Sequence, residues 1–216
     1  SSAASDVYKR QAETYTASLY AGRTLVQADS FLATRNDQAN PYGSVGDPYT
    51  GHYKQEAADG RTMEYEAEGL PEGLSIDRKT GEITGTPTKV GTTVATIKAK
   101  QMKGGKVDQT FPKEIPFTIT DTPLPNGKSR VPYTHKLATE GLPEGAEISN
   151  YIVNGAEGLT VNENGELTGL PAAAGEYNVI VRYTVKDGER TFTHLDRVKF
   201  VVDPSQATET NAEYPK

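Results

Sequence analysis

The sequence predicts an all-β protein made of two tandem β-sandwiches, and three observations support this fold class. One pattern occurs twice: Pro48-Tyr49-Thr50 returns as Pro132-Tyr133-Thr134, and Gly81-Glu82 returns as Gly165-Glu166, in both cases 84 positions later. Apolar and polar residues alternate over long stretches, and glycine-containing turn dipeptides follow these stretches. A repeat of this length suits one small β-sandwich, so 216 residues accommodate two.

The register of the repeat follows from these anchors and not from the five-residue segment GLPEG, although that segment also occurs twice. A second GLPEG at 141–145 lies only 72 positions after the first at 69–73, and pairing the two would require compensating gaps of 12 residues on either side. We therefore interpret the second copy as a decoy. Glu72-Gly73-Leu74 instead aligns with Glu157-Gly158-Leu159 at a displacement of 85, which needs one inserted residue before Gly165.

The clearest strand follows the repeated motif. Its inward positions are all apolar or aromatic: Tyr177, Val179, Val181, Tyr183 and Val185. The corresponding positions of the first repeat are Ala95, Ile97 and Ala99. Gly104-Gly105 and Asp187-Gly188 come next, and both dipeptides suit tight hairpin turns. Each repeat should therefore contain a long hairpin with one buried face.

A long β-rich run closes each repeat, at 107–121 and at 189–203. Pro112 and Pro116 interrupt the first run. Because proline has no N–H to donate to a neighbouring strand, these positions predict an edge strand or a bulge.

The motif residues resemble a known family. Leu70-Pro71-Glu72-Gly73-Leu74, the segment from Thr80 to Pro87 and Gly91 are similar to the hallmark of the putative Ig-like domains of bacterial surface proteins, which are also grouped with cadherin-like and dystroglycan-type modules. The resemblance implies two tandem Ig-like Greek-key β-sandwich domains over most of residues 40–203. The second repeat departs from the pattern, since Leu170 stands where Thr86 stands in the first.

We divide the chain accordingly. Residues 12–121 form the first predicted domain, with its repeat core at 40–121, residues 122–203 form the second, and residues 204–216 form a linker to a further module. Residues 6–11 can be reverse-translated into the transposase mosaic end of sequencing-library adaptors, so we interpret residues 1–11 as an artefactual tail. Residues 12–40 belong either to the first domain, which we favour, or to the last hairpin of a preceding one; a helix at 24–34 is an alternative.

Composition narrows the function classes. The chain carries a net charge of -6, contains no cysteine and has a mean hydropathy of -0.62. An acidic chain is poorly suited to nucleic acid, and no apolar run is long enough for membrane insertion. Without cysteine, packing or another crosslink must replace the disulfide of many Ig domains. The family resemblance implies an extracellular, cell-surface or cell-wall location.

The residues that could carry chemistry are few and scattered. His52, His135 and His194 lie in separate segments without the spacing of metal ligands, and the first two follow the repeated Pro-Tyr-Thr. No nucleophile elbow, phosphate loop or His-Glu-x-x-His segment occurs in the sequence. We therefore predict a non-enzymatic chain without catalytic residues and without a cofactor, calcium excepted.

Calcium is considered because carboxylates gather at the ends of the repeats. Asp121 and Asp203 close the two repeats, and Asp77 and Asn162 occupy the motif turn. Oxygen ligands of this kind bind Ca²⁺. The dense ligand runs of cadherin junctions are missing, so Asp121 and Asp203 are weak candidates.

Two further hypotheses concern a ligand and a crosslink. Tyr42 and Tyr53 are candidates for stacking a sugar ring, whereas Tyr49 is repeated as Tyr133 and is better explained as a core residue. A Lys–Asn isopeptide bond could involve strand residues such as Lys98, Lys199 and Asn178.

The predicted function is a stalk, spacer or adhesive region of a bacterial surface or secreted protein. Its expected partners are neighbouring domains of the same chain and a host matrix protein or glycan. The alternative is an accessory module, carbohydrate-binding or spacer, of an extracellular enzyme whose catalytic domain lies elsewhere.

Overall fold

The computed structural model describes residues 41–205, which contain fourteen β-strands and no helix. Unit 1 comprises the first seven strands: β1 (Tyr42–Ser44), β2 (Tyr49–His52), β3 (Thr62–Glu68), β4 (Leu74–Ile76), β5 (Glu82–Gly85), β6 (Gly91–Lys103) and β7 (Lys106–Thr120). Unit 2 comprises the other seven: β8 (Gly127–Lys128), β9 (Tyr133–Lys136), β10 (Glu147–Asn154), β11 (Leu159–Val161), β12 (Glu166–Gly169), β13 (Gly175–Asp187) and β14 (Arg190–Asp203).

Each unit is a sandwich of a four-stranded and a three-stranded sheet. The order is β1-β7-β6-β3 and β2-β5-β4 in unit 1, and β8-β14-β13-β10 and β9-β12-β11 in unit 2. The first strand of each unit runs parallel to its last strand, and the other pairs are antiparallel. Because consecutive strands cross between the sheets, the connectivity is that of a Greek-key sandwich. The predicted fold class is confirmed.

The predicted register agrees with the strands. β5 and β12, and β6 and β13, begin and end 84 positions apart, whereas β4 and β11 are displaced by 85. The second GLPEG, at 141–145, joins β9 to β10 and is not the equivalent of the first. Residues 1–40 and 206–216 lie outside the described residues, as do the predicted tail, the possible helix and most of the linker, and the exact domain limits stay predictions.

Alternation along the long hairpins builds the two cores. Val179, Val181 and Val185 of β13 are fully buried, and so are Ala95 and Ile97 of β6. They pack against residues of the facing three-stranded sheets, such as Leu167 and Ile83. Burial of one strand face against the other sheet is the main source of stability in such a sandwich.

The motif glycines allow two backbone segments to touch. A Cβ on Gly73 would lie 2.0 Å from the carbonyl oxygen of Thr86, and Gly73 has a φ of 92°. In unit 2, a Cβ on Gly158 would lie equally close to the carbonyl oxygen of Leu170. The amide N–H of Leu170 donates to the Gly158 carbonyl at 2.9 Å. The motif thus serves the fold, because no other residue fits there without strain.

Pro112 and Pro116 lie at an edge, as predicted. β1 pairs with β7 only over residues 118–120, so the preceding part of β7 forms the outer edge of its sheet within the described residues. The irregularity of this hairpin lies instead near its tip, where Asp108 of β7 is an extra residue opposite the consecutive Gln101 and Met102 of β6. Prolines at an open edge discourage pairing with another chain.

Candidate functional site at the junction of the two units

Strand β1 belongs to unit 1 but contributes a side chain to the core of unit 2. Tyr42 pairs with Thr118 in the sheet of unit 1, yet its ring belongs to the hydrophobic core of unit 2. The ring is 2% exposed and meets Phe192 edge-on at 4.7 Å and His194 at 5.8 Å between centroids. We call the contact region built around this strand the junction.

The hydroxyl of Tyr42 is also held by unit 2. It donates to Oδ2 of Asp187 at 2.8 Å, at the tip of the β13–β14 hairpin. The guanidinium of Arg190 lies 5.6 Å from the Tyr42 ring centroid and 4.1 Å from that of Phe192, which are cation–π distances. Burial and the Asp187 carboxylate raise the pKa of Tyr42 well above its usual range, so the hydroxyl stays protonated and remains a donor.

A fully buried carboxylate, Asp196, lies at the centre of the junction. Thr120 donates its hydroxyl to Oδ1 at 2.7 Å, and Thr122 donates to Oδ2 at 2.7 Å. Tyr183 of β13 donates to Oδ2 at 2.8 Å. Because Thr120 and Thr122 lie at the C-terminal end of unit 1, this buried carboxylate has its hydrogen bonds satisfied only while the two units are docked.

His194 lies beside this carboxylate and is also buried. Its Nε2 is 3.0 Å from Oγ of Ser44 and 3.1 Å from Oγ1 of Thr120. Ser44 donates its own proton to the carbonyl of Leu195 at 2.7 Å, and Thr120 donates to Asp196. Both hydroxyl oxygens are therefore acceptors, which assigns the imidazole proton to Nε2. Burial lowers the pKa of His194, and the Asp196 carboxylate partly opposes this effect.

Ser44, His194 and Asp196 do not form a catalytic triad. In such a triad the serine and the carboxylate contact different ring nitrogens of the histidine. Here Oδ1 of Asp196 lies 3.9 Å from Nε2, the same nitrogen that faces Ser44. All three residues are at most 2% exposed, so no substrate reaches the serine in this arrangement. The cluster is a docking device between two units.

Backbone contacts surround the polar centre. Asp121 and Glu140 exchange backbone hydrogen bonds of 2.7 and 3.3 Å, and the hydroxyls of Thr122 and Thr139 lie 2.8 Å apart. A Cβ on Gly141 would lie 2.1 Å from the carbonyl oxygen of Ile119. The decoy GLPEG therefore begins with a glycine that lets unit 2 approach unit 1.

An ion pair at the rim joins the units as well. Nε of Arg197 lies 3.0 Å from Oδ1 of Asp47, a buried residue just after β1. Burial raises the pKa of Asp47 although Arg197 lowers it, and burial together with Asp196 raises the pKa of Asp121. The junction therefore concentrates negative charge that its hydroxyl and guanidinium donors must stabilise.

The structure separates the two calcium candidates. Asp121 accepts the amide N–H of Thr122 at 2.9 Å within the junction, whereas Asp203 pairs with Lys128 at the far end of β14. Among the described residues, no group of three or more histidines and acids is placed to hold a metal ion. Calcium binding stays a prediction.

Asp77 and Asn162 have a structural role in the motif turn. Oδ1 of Asp77 accepts the backbone N–H groups of Lys79 and Thr80 at 2.8 and 2.7 Å. Asn162 accepts two backbone N–H groups in the same way in unit 2. Side chains that bond to a following backbone in this manner define the turn geometry.

The two candidate sugar-stacking residues differ in environment. The faces of Tyr42 are covered by Phe192, His194 and Arg190, so a sugar would have to displace these contacts. Tyr53 is half-buried, meets Tyr65 edge-on at 6.5 Å and has the Lys113 ammonium 5.8 Å from its centroid. Sugar binding stays a prediction for both tyrosines.

Other residues singled out in the sequence lie outside the junction. His52 and His135 are on β2 and β9. Nζ of Lys98 contacts Glu68 and Nζ of Lys199 contacts Glu176, each at 2.6 Å. Asn178 is exposed, directly across from Lys199 on β14. Asn178 and Lys199 are therefore a cross-strand pair that could form the isopeptide bond, but both side chains face solvent. The isopeptide bond stays a prediction.

Sequence reasoning missed the residues that build the junction, although the repeat contained a signal for them. Ala99 is the equivalent of Tyr183 in unit 1, and strand pairing makes Phe111 and Lys113 the equivalents of His194 and Asp196. A histidine in place of a phenylalanine and an aspartate in place of a lysine, in a strand of otherwise equivalent fold, indicate a role specific to one unit. Their alternation pattern alone suggested ordinary strand positions.

The fold and the junction define a tandem Ig-like protein, and comparison with known proteins agrees. Residues 31–115 match the family model described as Putative Ig domain, so this part of the chain is similar to that family. This match confirms the resemblance deduced from the motif.

Curated relatives include bacterial adhesins. The chain is 31% identical over 131 residues to the "Serine-rich adhesin for platelets" of Staphylococcus aureus strain MRSA252. The aligned region covers 58% of this chain and 10% of the adhesin. The homologue of strain USA300 has the same identity, with 6% of its length covered. The chain is thus an Ig-like module that is similar to a small part of a bacterial adhesin.

Similar solved structures include Drosophila N-cadherin EC1-3, at 13% identity and a TM-score of 0.30, covering 76% of this chain and 64% of that one. An endo-fucoidan hydrolase of glycoside hydrolase family 107 has 18% identity and a TM-score of 0.29, covering 76% and 27%. Scores this low carry no functional argument. No helix within residues 41–205 is long and apolar enough to cross a membrane.

Proposed function

We propose that the chain is a non-catalytic tandem Ig-like module of a bacterial cell-surface or secreted protein, in which it acts as a spacer of fixed geometry. The observation that carries this proposal is the buried carboxylate of Asp196, bound by the hydroxyls of Thr120 and Thr122. If the units swung apart, the hydrogen bonds from these two hydroxyls to the carboxylate would be lost, and their net contribution to docking would be lost with them. A spacer needs such a fixed joint.

An adhesive role belongs to the same proposal, because the similar staphylococcal proteins are named adhesins for platelets. The partner would be a host matrix protein or glycan, bound outside the junction. The accessory module of an extracellular enzyme remains the alternative from the sequence, and no feature of residues 41–205 favours it.

The spacer role is tested by the distance between the units. The chain has no cysteine, so spin labels can be attached at Lys79→Cys and Glu163→Cys, two exposed positions in units 1 and 2. At pH 7.5, double electron–electron resonance on the 216-residue chain should give one narrow distance distribution. Its width should match that of a control pair within unit 1, Lys79→Cys with Glu114→Cys. A much broader distribution between the units would contradict a fixed joint.

The adhesive role needs a binding measurement. The same chain is tested against immobilised host matrix proteins and a glycan array, with and without calcium. Saturable binding to one partner would support adhesion, and dependence on calcium would revive Asp121 and Asp203 as ligands. Lack of binding in both conditions would contradict adhesion and leave the spacer role.

A further inference from the structure

His194 occupies the point where the two units meet. Its ring nitrogen Nε2 contacts Ser44 on β1 and Thr120 on β7, both in unit 1. Its ring packs edge-on against Tyr42 from unit 1 and Tyr183 from its own unit. The other two histidines of the chain, His52 and His135, lie on strands outside this contact.

The hydrogen bonds around His194 suit a neutral ring. Nε2–H has two hydroxyl acceptors, whereas Nδ1 is buried and has no hydrogen-bond partner among the described residues. A second proton would have to be placed on Nδ1. The added positive charge would then be surrounded by protein atoms and not by water, which is unfavourable without a dedicated acceptor.

Charged groups around the ring act in both directions. Asp196 on β14 and the carbonyl of Gly43 on β1 favour a protonated ring, whereas Arg190 and burial disfavour it. The carboxylate of Asp196 is already bound by three hydroxyls and lies 3.9 Å from Nε2. The other charged groups of the junction are Asp47 with Arg197, Asp121 with Glu140, and Asp187 beside Tyr42.

We propose that the junction is an acid-sensitive latch: protonation of His194 releases unit 1 from unit 2, so that a fixed pair becomes a hinged pair as the pH falls below about 6. This proposal rests on the junction contacts and not on the spacer role. It adds a regulated change of shape, which a constant spacer does not require.

The direction of the effect follows from proton linkage. Burial lowers the pKa of His194 in the docked state, and release returns it towards its ordinary 6.5. The docked state therefore binds fewer protons, so docking has its full strength above the ordinary pKa and is lost as the pH falls below it. For a histidine of ordinary pKa in the open state, the open fraction rises by up to about 25-fold from pH 7 to pH 5.

Two acids work against this effect at lower pH. Burial raises the pKa values of Asp47 and Asp121 in the docked state above their ordinary 3.8. Carboxyls with raised pKa values bind protons more strongly in the docked state, so their titration strengthens docking as the pH falls. The test therefore stays between pH 7.5 and pH 5.

The experiment uses the spin-labelled chain with cysteines at positions 79 and 163. The distance distribution should be narrow at pH 7.5 and should gain a broad component by pH 5, while circular dichroism shows that both units remain folded. In His194→Gln, whose amide can donate to Ser44 and Thr120 but does not titrate, the broad component should not depend on pH. In the control His52→Gln, at a side chain that is 42% exposed, the pH response should equal that of the parent chain.

Two results would overturn the latch. One is a parent distribution that does not change down to pH 5, and the other is an unchanged pH response in His194→Gln. If this variant does not fold, the Cε1 proton of His194 is titrated by NMR in the parent chain. A titration midpoint below 6.5 agrees with the proposal, and a midpoint at or above that value contradicts it. A distribution that is already broad at pH 7.5 refutes the spacer role, whereas lack of pH dependence refutes only the latch.

Discussion

The hydroxyl of Tyr42 donates to the carboxylate of Asp187 at 2.8 Å, although 145 positions separate the two residues. Tyr42 lies in the first strand of one sandwich and Asp187 at the hairpin tip of the next. The strand β1 therefore has two structural roles. Its backbone extends the sheet of unit 1, and its first side chain completes the core of unit 2.

Substitutions at Tyr42 should separate these contributions. Tyr42→Phe keeps the ring and removes the bond to Asp187, so the free energy of unfolding should fall by about 1 kcal/mol. Tyr42→Ala also removes the buried ring and should cost about 3–5 kcal/mol. Urea denaturation measures both. Tyr177→Phe, which removes a hydroxyl on an exposed bond to Ala173, is the control and should change stability by less than about 0.5 kcal/mol.

Asp196→Asn should weaken the junction. An amide supplies one acceptor oxygen and two donor protons, so it cannot accept the hydroxyls of Thr120, Thr122 and Tyr183 as the carboxylate does. We expect a loss of about 1–3 kcal/mol in thermal or urea unfolding. Asp203→Asn, on the same strand but outside the junction, should have little effect. Equal losses in the two variants would argue against a special role for Asp196.

The decoy GLPEG provides a matched pair of glycines. Gly141 has a φ of 84° and Gly145 a φ of 82°, so alanine is strained to the same degree at both. A Cβ at Gly141 would also meet the Ile119 carbonyl at 2.1 Å, whereas one at Gly145 meets nothing within 4 Å. Gly145→Ala should cost about 1 kcal/mol, and Gly141→Ala clearly more, because the units must move apart. A broader spin-label distribution in Gly141→Ala alone would locate the damage at the junction.

Tyr49 and Tyr133 occupy equivalent positions in the two repeats. The hydroxyl of Tyr133 donates to the carbonyl of Pro125 at 3.0 Å, whereas that of Tyr49 is buried without a partner among residues 41–205. Tyr133→Phe should therefore destabilise the protein by about 1 kcal/mol, and Tyr49→Phe should be neutral or stabilising. Thermal unfolding of the two variants under one condition compares them directly. A loss at Tyr49 equal to that at Tyr133 would mean that the Tyr49 hydroxyl has a bonding partner.

The internal structure of each unit could be predicted from the sequence because it is periodic. Alternation placed Val179 and Val181 in the core, and the spacing from Gly81 to Gly165 set the register of the strands. Periodicity reports which face of a strand is buried within its own sandwich. Periodicity does not indicate which residues are buried by contact with a neighbouring sandwich.

The junction could not be predicted for this reason. His194 and Asp196 lie on a strand whose pattern is explained by unit 2 alone, and their burial depends on the arrival of Ser44, Thr120 and Thr122 from unit 1. Tyr42 was a candidate for stacking a sugar ring, because nothing in the sequence indicated that another domain covers it. These residues come together only in the folded chain, in which the C-terminal end of β7 pairs with β1.

The double role of β1 limits how such a gene can recombine. A crossover between residues 121 and 127 would divide the sequence between the two repeats, yet it would leave unit 2 without the ring of Tyr42 and without the Thr120 hydroxyl that binds Asp196. Unit 2 joined to a different domain would therefore need another side chain in place of the Tyr42 ring and another donor in place of Thr120.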